Sequence, residues 1–531
     1  MRPDRRDALA MAFLALFAVL WLSRFFPLFD EQHRDEALLT EPAFRLLLGQ
    51  VPYRDFRTHA PPLPAVVVVP FYAVLGVRVV AHKIPMVLQF VALAWLVYGL
   101  GRRLAGRVAA LGAAFTVLGF HAMAWPILSH HWLSVLGLLA LARVLLDLEE
   151  TPTARRLAAA GALTGVAFLT APNAGLAALA VCLAWLVARR GARPGAGSYA
   201  AGLGAVLGLF VLLMALAGAL GPWLEEATRT GRHVRIHRQA ADLAVMAAPF
   251  HLLAEALRQS PGRLVSGFYL WMAQLYGMTA LAGTFLGLGG LLALASALRA
   301  ARRSLSPAAW ILGGLAVAWG VPLLAYHFIP TYMNFLGPFL VLLALELGGH
   351  AWEARPSLRR GLVGLGIGLL GILNSFAPCL ATWLHRDVVH PIPFNAGTLL
   401  SASPEEAREW TALQEWVNRT TPPGEPLLYI PLFNLAGFDV LVGRENAAPF
   451  ENLVPWLEPG GPDGAAEIRA QVATRRPRLM ILPKVNPEAR LDRLFADRLL
   501  ELYGQIMPGY RPVWQSEGYL VLVREDPGSV R

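Results

Sequence analysis

The sequence contains little charge, little lysine and little cysteine. Charged residues make up 15% of the 531 positions, against about 25% in soluble globular domains, which excludes an ordinary soluble enzyme. The two cysteines, Cys182 and Cys379, lie in apolar segments far apart in the chain. This spacing excludes a disulfide framework and a cysteine zinc site, and we expect both thiols to be buried as small hydrophobic groups. Arginine supplies nearly all of the positive charge, since lysine occurs only at Lys83 and Lys484.

Phosphate-binding glycine loops and short internal repeats are also missing. A nucleotide site is therefore not expected, and neither is a solenoid. We predict no cofactor, with a divalent cation left as an open alternative.

Long apolar segments dominate the first three quarters of the chain. Hydrophobic residues make up 56% of the sequence and the mean hydropathy is +0.49. Runs of about 20 apolar residues are long enough to cross a bilayer. The pattern predicts eleven spans, at 8–26, 79–100, 108–126, 131–147, 156–171, 174–188, 199–221, 274–298, 308–325, 331–348 and 361–384. The first run is long and lacks a small-residue cleavage site, so we interpret it as a signal anchor.

Arginine clusters alternate with these spans. With eleven spans, they all fall on one side, which the positive-inside rule makes cytoplasmic. The formal net charge of +10 is therefore a topology signal, and nucleic-acid binding is not expected. The clusters are Arg2, Arg5 and Arg6; Arg102, Arg103 and Arg107; Arg155 and Arg156; Arg189, Arg190 and Arg193; Arg299, Arg302 and Arg303; and Arg355, Arg359 and Arg360.

A carboxylate pair, Asp35-Glu36, follows the first span in an outer loop predicted over 27–78. Ionisable groups at a membrane face are candidate functional residues, and Asp30-Glu31 is a competing pair. We predict a short amphipathic interfacial helix that begins at Thr40 or Glu41 and stops at Gly49. Repeated prolines predict an ordered turn over Tyr53–Ala60.

Two further outer segments are predicted. In 221–262, four arginines recur every third residue and could bind a phosphate or face solvent; they are Arg229, Arg232, Arg235 and Arg238. The tail, 385–531, alternates apolar strand-like runs with an amphipathic helix whose capping box is Ser403 and Glu406. It predicts an α/β domain.

The sequence resembles the GT-C class of membrane glycosyltransferases, specifically bacterial relatives of protein O-mannosyltransferases and aminoarabinose transferases. The similarity is close over roughly the first 110 residues. It rests on Asp35-Glu36, Gly49, Pro52-Tyr53-Arg54-Asp55-Phe56, His59-Ala60-Pro61-Pro62-Leu63, Lys83-Ile84-Pro85 and Gly101-Arg102-Arg103-Leu104-Ala105-Gly106-Arg107.

This resemblance implies a fold and a reaction. The fold is a polytopic α-helical membrane protein, with a GT-C module over 1–384 and an extracytoplasmic α/β domain over 385–531. The reaction moves a sugar from a polyprenyl-phosphate carrier to a hydroxyl of a lipid, glycan or protein acceptor, on the outer face of the cytoplasmic membrane. Asp35 would be the general base, with Glu36 as its partner, itself paired with an arginine. Lys83 would lie beside the carrier phosphate, its alternative role being to snorkel to the interface.

Other candidate residues have alternative roles, structural or in substrate binding. Asp55 and His59 could hold their loop or contact substrate, and neither has metal-ligand spacing. Relatives often have an acidic residue at the outer end of the fourth span, where this chain has Ser129-His130-His131-Trp132. His131 could bind an acceptor or anchor the helix. Tyr332 could line a sugar pocket.

Two rival functions remain open. A transporter should have acidic residues near the bilayer midplane, and these spans are nearly free of them. A non-catalytic GT-C-like scaffold would use the outer domain to bind a partner.

Overall fold

The computed structural model describes thirteen stretches of the chain. They are residues 4–23, 28–29, 34–58, 61–122, 126–189, 195–233, 306–326, 333–351, 390–401, 404–430, 437–450, 464–484 and 490–525. The predicted spans at 274–298 and 361–384, and the capping residue Ser403, lie outside them.

The N-terminal two thirds of the described residues are helical. The helices are α1 (Arg5–Leu22), α2 (Arg34–Leu47), α3 (Leu63–Leu75), α4 (Val79–Ala105), α5 (Arg107–Thr116), α6 (His130–Glu150), α7 (Ala154–Thr170), α8 (Pro172–Ala188), α9 (Ala196–Leu216), α10 (Leu220–His233), α11 (Pro307–Tyr326) and α12 (Met333–Ala351). A π-helical segment, Val117–His121, continues α5. Among the described residues, α4, α6 and α9 are long and apolar enough to cross a membrane, and five shorter apolar helices accompany them.

Helix α3 falls in the segment predicted as an outer loop, and that prediction is wrong over Leu63–Leu75. The prolines at 62 and 64 suggested chain breaks. They lie instead at the start of the helix, where a missing N–H costs no hydrogen bond. Gly76 ends the helix with φ +78°, a conformation that glycine adopts without strain.

Helices α7 and α9 pack closely, because glycines occupy their interface in place of larger side chains. A Cβ added at Gly161 would overlap the Tyr199 carbonyl oxygen, and one added at Gly202 would overlap that of Ala158. Small residues that let helix backbones approach are typical of packing within membranes. Cys182 is buried nearby, as predicted, while Cys379 lies outside the described residues.

One end of the helix bundle collects the arginines. Arg102 at the end of α4 pairs with Asp7 at the start of α1, and Arg103 pairs with Asp147 near the end of α6 at 2.8 Å. Arg189, after α8, pairs with Glu149. Arg156, at the start of α7, donates to the Asp147 carbonyl at 2.7 Å. Arginines of three clusters therefore lie at one end of the bundle, beside the start of α1; the side of the membrane that they face stays a prediction.

The C-terminal part (residues 390–525) is built from strands and helices. The strands are β2 (His390–Pro393), β3 (Thr398–Ser401), β4 (Leu428–Tyr429), β5 (Leu479–Pro483), β6 (Tyr510–Gln515) and β7 (Tyr519–Arg524). The helices are α13 (Pro404–Thr420), α14 (Phe438–Val442), α15 (Gly464–Arg475) and α16 (Arg490–Ile506). The four strands β4-β5-β7-β6 form one sheet in that order.

This sheet has apolar cores on both faces. Leu479 and Ile481 of β5 pack with α13 and α14, whereas Met480 and Leu482 pack with α15 and α16. Because alternate residues of a strand point to opposite faces, a continuous apolar run here means burial on both sides.

A second sheet joins distant parts of the chain. Strand β1 (Leu28–Phe29), which follows α1, pairs in parallel with β3, and β3 pairs antiparallel with β2. The segment after the first helix is thereby attached to the C-terminal part.

Candidate functional site

Helix α2 carries the carboxylate pair in its first turn. It begins at Arg34, so the predicted start at Thr40 or Glu41 is wrong by at least six residues. Pro42 lies inside the helix and removes one backbone hydrogen bond. Burial of the segment from Ala37 to Phe44 offsets this loss, because tertiary packing overrides local propensity. Gly49, with φ +82°, follows the helix end as predicted.

Glu36 lies at the centre of a buried polar network. Its Oε1 is 2.5 Å from Lys83 Nζ and 3.1 Å from His82 Nε2. The side chains of all three residues are at most 1% exposed. Burial acts to raise the pKa of Glu36, but attraction to Lys83 and His82 outweighs it and holds the pKa below its ordinary value. Glu36 is therefore a carboxylate at neutral pH.

These partners differ from the expected arginine. Lys83 and His82 occupy the first turns of α4, so the ion pair ties α2 to a candidate membrane span. The Lys83 ammonium faces Glu36 in this structure, and a contact with a carrier phosphate stays a prediction. Asp35 is next to Glu36 in α2, but its side chain lies outside the described residues.

The C-terminal part packs directly on α2 and the turn after it. Arg45 pairs with Glu41 at 2.8 Å and donates to the carbonyl of Ala448 at 2.7 Å. Arg57 pairs with Glu467 at 3.1 Å. The contacts of Arg45 with Ala448 and of Arg57 with Glu467 span 403 and 410 positions of sequence, so the C-terminal part packs against the helix that carries the carboxylate pair and the turn after it.

Asp439, in the first turn of α14, is a buried carboxyl that the sequence gives no reason to select. It is 1% exposed, and neither of its carboxylate oxygens forms a hydrogen bond within the described residues. Burial raises its pKa to about 6, with Arg45 opposing the shift and Glu445 adding to it. A second carboxyl therefore reaches the α2 region from the C-terminal part.

The segment Pro52–Phe56 forms a turn, as predicted. Tyr53 has φ +67°, and its backbone N–H donates to the Phe56 carbonyl at 2.7 Å. Asp55 accepts from the Val51 N–H and the Arg54 guanidinium, both at 2.8 Å, and Arg54 chiefly lowers its pKa. Arg54 also donates to the Ala217 carbonyl at 2.9 Å. These contacts hold the loop; the alternative role of Asp55, a substrate contact, stays a prediction.

His131 lies at the start of α6, beside α12. Ser129 caps this helix by accepting from the Trp132 N–H at 3.2 Å, and the His131 ring lies 4.8 Å from that of Phe335. The structure thus brings His131 next to the start of α12, at Met333. The neighbouring Tyr332 lies outside the described residues.

Three other predicted site residues are not described in detail. His59 and Arg235 lie outside the described residues, and Arg232 belongs to α10 without a described side chain. Among the described residues there is no group of three His, Cys, Asp or Glu side chains that could hold a metal ion.

Sequence reasoning missed three buried polar residues: Tyr72, His82 and Asp439. His82 directly precedes the selected Lys83, so its place in the first turns of α4 was a usable signal. Tyr72 sits in the unpredicted α3, and no sequence signal points to Asp439.

Comparison with solved structures identifies the fold. No family model and no curated protein matches the sequence. Two crystal structures of the *Archaeoglobus fulgidus* oligosaccharyltransferase match over 97% of this chain. One is a complex with Zn and sulfate, with 13% identity, 73% of that chain covered and a TM-score of 0.53. The other is tethered to an acceptor peptide containing the NVT sequon, with 15% identity, 74% covered and a TM-score of 0.51.

A third match is ArnT from *Cupriavidus metallidurans* bound to undecaprenyl phosphate. It has 12% identity and a TM-score of 0.44, and covers 96% of this chain and 97% of that one. The oligosaccharyltransferase matches show that this chain shares the fold of that protein, in agreement with the predicted GT-C fold. The count of eleven spans stays a prediction.

Proposed function

We propose that this chain is an inverting glycosyltransferase of the cytoplasmic membrane. It moves a sugar from a polyprenyl-phosphate carrier to an acceptor hydroxyl on the outer face. The N-terminus is cytoplasmic and the C-terminal part extracytoplasmic. The acceptor is a lipid, a glycan or a protein; the oligosaccharyltransferase fold, seen with an acceptor peptide, makes a protein acceptor the first to test.

The buried ion pair between Glu36 and Lys83 carries this proposal. It fixes the first turn of α2, where Asp35 lies, to the start of a candidate membrane span. Lys83 lies at the start of α4 and Arg102 near its end. At 1.5 Å per residue, the two are about 30 Å apart along the helix. The carboxylate pair is thus at the opposite end from the arginine clusters, where lipid-linked sugars would be met outside the cell.

The mechanism needs a base and a stabilised leaving group. Asp35 accepts the proton of the acceptor hydroxyl as its oxygen bonds to the anomeric carbon. The bond from that carbon to the carrier phosphate oxygen breaks on the opposite face, so configuration inverts. The phosphate leaves with both electrons and needs positive charge nearby. Lys83 supplies part of it. Its ammonium faces Glu36 in this structure and turns to the phosphate when the carrier binds, assisted by arginines of 229–238.

Reconstituted transfer tests this proposal. The protein is placed in liposomes with polyprenyl-phosphate sugars and candidate acceptors, and product is measured by mass spectrometry. We expect Asp35→Asn to abolish transfer while carrier binding is retained. Asp147→Asn, at the arginine end, is the matched control and should keep transfer near the wild-type rate.

Cells with and without the protein identify the substrates. Loss of the gene should leave one donor accumulated and one envelope modification missing. Normal turnover by Asp35→Asn would remove Asp35 from the mechanism. Unchanged lipid-linked sugars and envelope glycans would instead favour the non-catalytic scaffold.

A further inference from the structure

Tyr72 extends the Glu36 network into a third helix. Its hydroxyl lies 3.1 Å from His82 Nδ1, while His82 Nε2 lies 3.1 Å from Glu36 Oε1. Tyr72 is 1% exposed and His82 is fully buried. A continuous buried chain of polar contacts therefore runs from Tyr72 on α3, through His82 on α4, to Glu36 on α2.

One tautomer of His82 satisfies both of its contacts. A neutral imidazole has one donor and one acceptor nitrogen. With its proton on Nε2, the ring places a positive N–H edge beside the Glu36 carboxylate, 3.1 Å from Oε1, and Nδ1 accepts from the Tyr72 hydroxyl. Tyr72 thus selects the tautomer and ring orientation in which His82 can hold Glu36, as hydrogen bonds to the second nitrogen do elsewhere.

The network acts on the backbone that carries Asp35. Glu36 is anchored by two neighbouring residues of α4, His82 and Lys83, so its position relative to that helix is fixed in two directions. Asp35 shares its helical turn, and its backbone moves with Glu36. Loss of the Tyr72 contact leaves the ion pair in place but frees the His82 ring to rotate.

We propose that Tyr72 and His82 are positioning residues for the sugar transfer, which hold the first turn of α2 against α4 through Glu36. This inference rests on the proposed function, because its catalytic consequence requires Asp35 to be the base. Neither residue touches substrate. Their effect is on the placement of the base, where an error of about 1 Å can cost on the order of 100-fold in rate.

Helix α4 supplies a matched control. Tyr98 is 2% exposed and its hydroxyl donates to Asp7 at 2.9 Å, so Tyr98→Phe removes a buried tyrosine hydroxyl from a carboxylate network at the arginine end. Tyr72→Phe removes the same atom at the other end. The two variants should lower the unfolding temperature similarly, while only Tyr72→Phe reduces kcat, by about 10- to 100-fold. KM for the carrier should change less than twofold.

His82→Gln tests whether an amide can replace the imidazole and restore activity that His82→Ala loses. Its amide Nε2 can reach the position of the imidazole Nε2 and donate to Glu36, so it should retain more activity than His82→Ala. Equal activity in these two variants would overturn the positioning role of His82. Equal kcat in Tyr72→Phe and Tyr98→Phe would do the same for Tyr72.

Hydrogen exchange tests the inference without activity. Amides of residues 38–41, which donate to the carbonyls of the first turn of α2, should exchange faster in Tyr72→Phe than in the wild type and in Tyr98→Phe. If the wild type shows no transfer but this exchange difference is present, the proposed function fails and the positioning contact stands. If exchange over 38–41 is unchanged, the inference fails even where transfer is observed.

Discussion

Helix α4 has a cluster of ion pairs at each end, and the two clusters are built differently. At its C-terminal end, the buried carboxylate of Asp7 contacts the guanidiniums of Arg102 and Arg107, which are 17% and 36% exposed. At its N-terminal end, the Glu36 carboxylate contacts Lys83 and His82, both at most 1% exposed. We call the Asp7 cluster open, because its arginines are partly exposed to solvent. We call the Glu36 cluster closed, because the side chains of Glu36, Lys83 and His82 are all buried.

The difference bears on what each cluster is for. Arginines that remain partly exposed keep much of their hydration, and their alternation along the chain is the pattern that the positive-inside rule predicts. Arg102 and Arg103 also line a cavity of about 300 Å³ beside Trp95 and Asp147. A fully buried pair must offset a large desolvation cost and adds little net stability. Its retention at the start of α4 fits a need to fix one arrangement of α2, α3 and α4.

The largest loss of stability is expected when one charged residue of the closed cluster is replaced and its partner is kept. Lys83→Met removes the ammonium that faces the buried Glu36 carboxylate, and should destabilise the protein by about 3 to 5 kcal/mol. Glu36→Gln should cost a comparable amount, because it leaves the buried Lys83 ammonium without this carboxylate. The double variant removes both charges and should recover most of the loss. Unfolding in detergent, followed as a double-mutant cycle, measures this coupling.

Additive losses in the cycle would contradict the closed-cluster description. They would mean that Lys83 and Glu36 each act through other partners. An equal set of variants at Arg103 and Asp147, whose side chains are 19% and 26% exposed, provides the control cycle at the other end.

An intermediate effect is expected from Asp439, a buried carboxyl near the closed cluster but without an ion pair of its own within the described residues. Burial raises its pKa to about 6 from 3.8, so the folded protein retains a proton that the unfolded chain releases. Its contribution to stability is fully present below pH 3.8 and is lost as the pH rises through 6. The total loss is on the order of 3 kcal/mol at 1.36 kcal/mol per pKa unit.

Asp439→Asn should remove this pH dependence. Between pH 4.5 and 7 the wild type should lose stability as Asp439 releases its proton in the folded state, and the variant should not. Glu36 serves as the internal contrast, because its lowered pKa keeps its contribution nearly constant above pH 4.5. A wild-type stability that is flat from pH 4.5 to 7 would show that Asp439 is stabilised by groups other than those described.

The elements were easier to predict than the contacts between them. Hydropathy placed α4, α6 and α9 within a few residues, because long apolar runs have few alternatives. It missed α3, since prolines at a helix start resemble those of a loop. Strand β6 was also missed: it is an edge strand with a bulge between Pro512 and Trp514, which weakens the alternating pattern.

The same difference applies to the candidate site: its residues were easier to predict than the contacts between them. The resemblance selected Glu36 and Lys83 separately, and the structure shows that they are each other's partners across 47 positions of sequence. Such a pairing depends on how α2 crosses α4, which no local pattern encodes. The contribution of the C-terminal part is even harder to predict from the sequence, because the hydrogen bond from Arg45 to the Ala448 carbonyl joins residues 403 positions apart.

The smallest effect is expected from the open cluster. Arg103 pairs with Asp147 at 2.8 Å and with Glu150 at 2.7 Å, and the Glu150 side chain is 63% exposed. Arg103→Gln should therefore cost at most about 1 kcal/mol, the range of exposed ion pairs. The cost should shrink further in high salt, because exposed charges are screened. Denaturant unfolding at 50 and 500 mM salt measures both quantities, with Lys83→Met as the salt-insensitive reference. A loss above 3 kcal/mol that persists at 500 mM would show that the arginine end is also a closed cluster, and the contrast between the two ends of α4 would disappear.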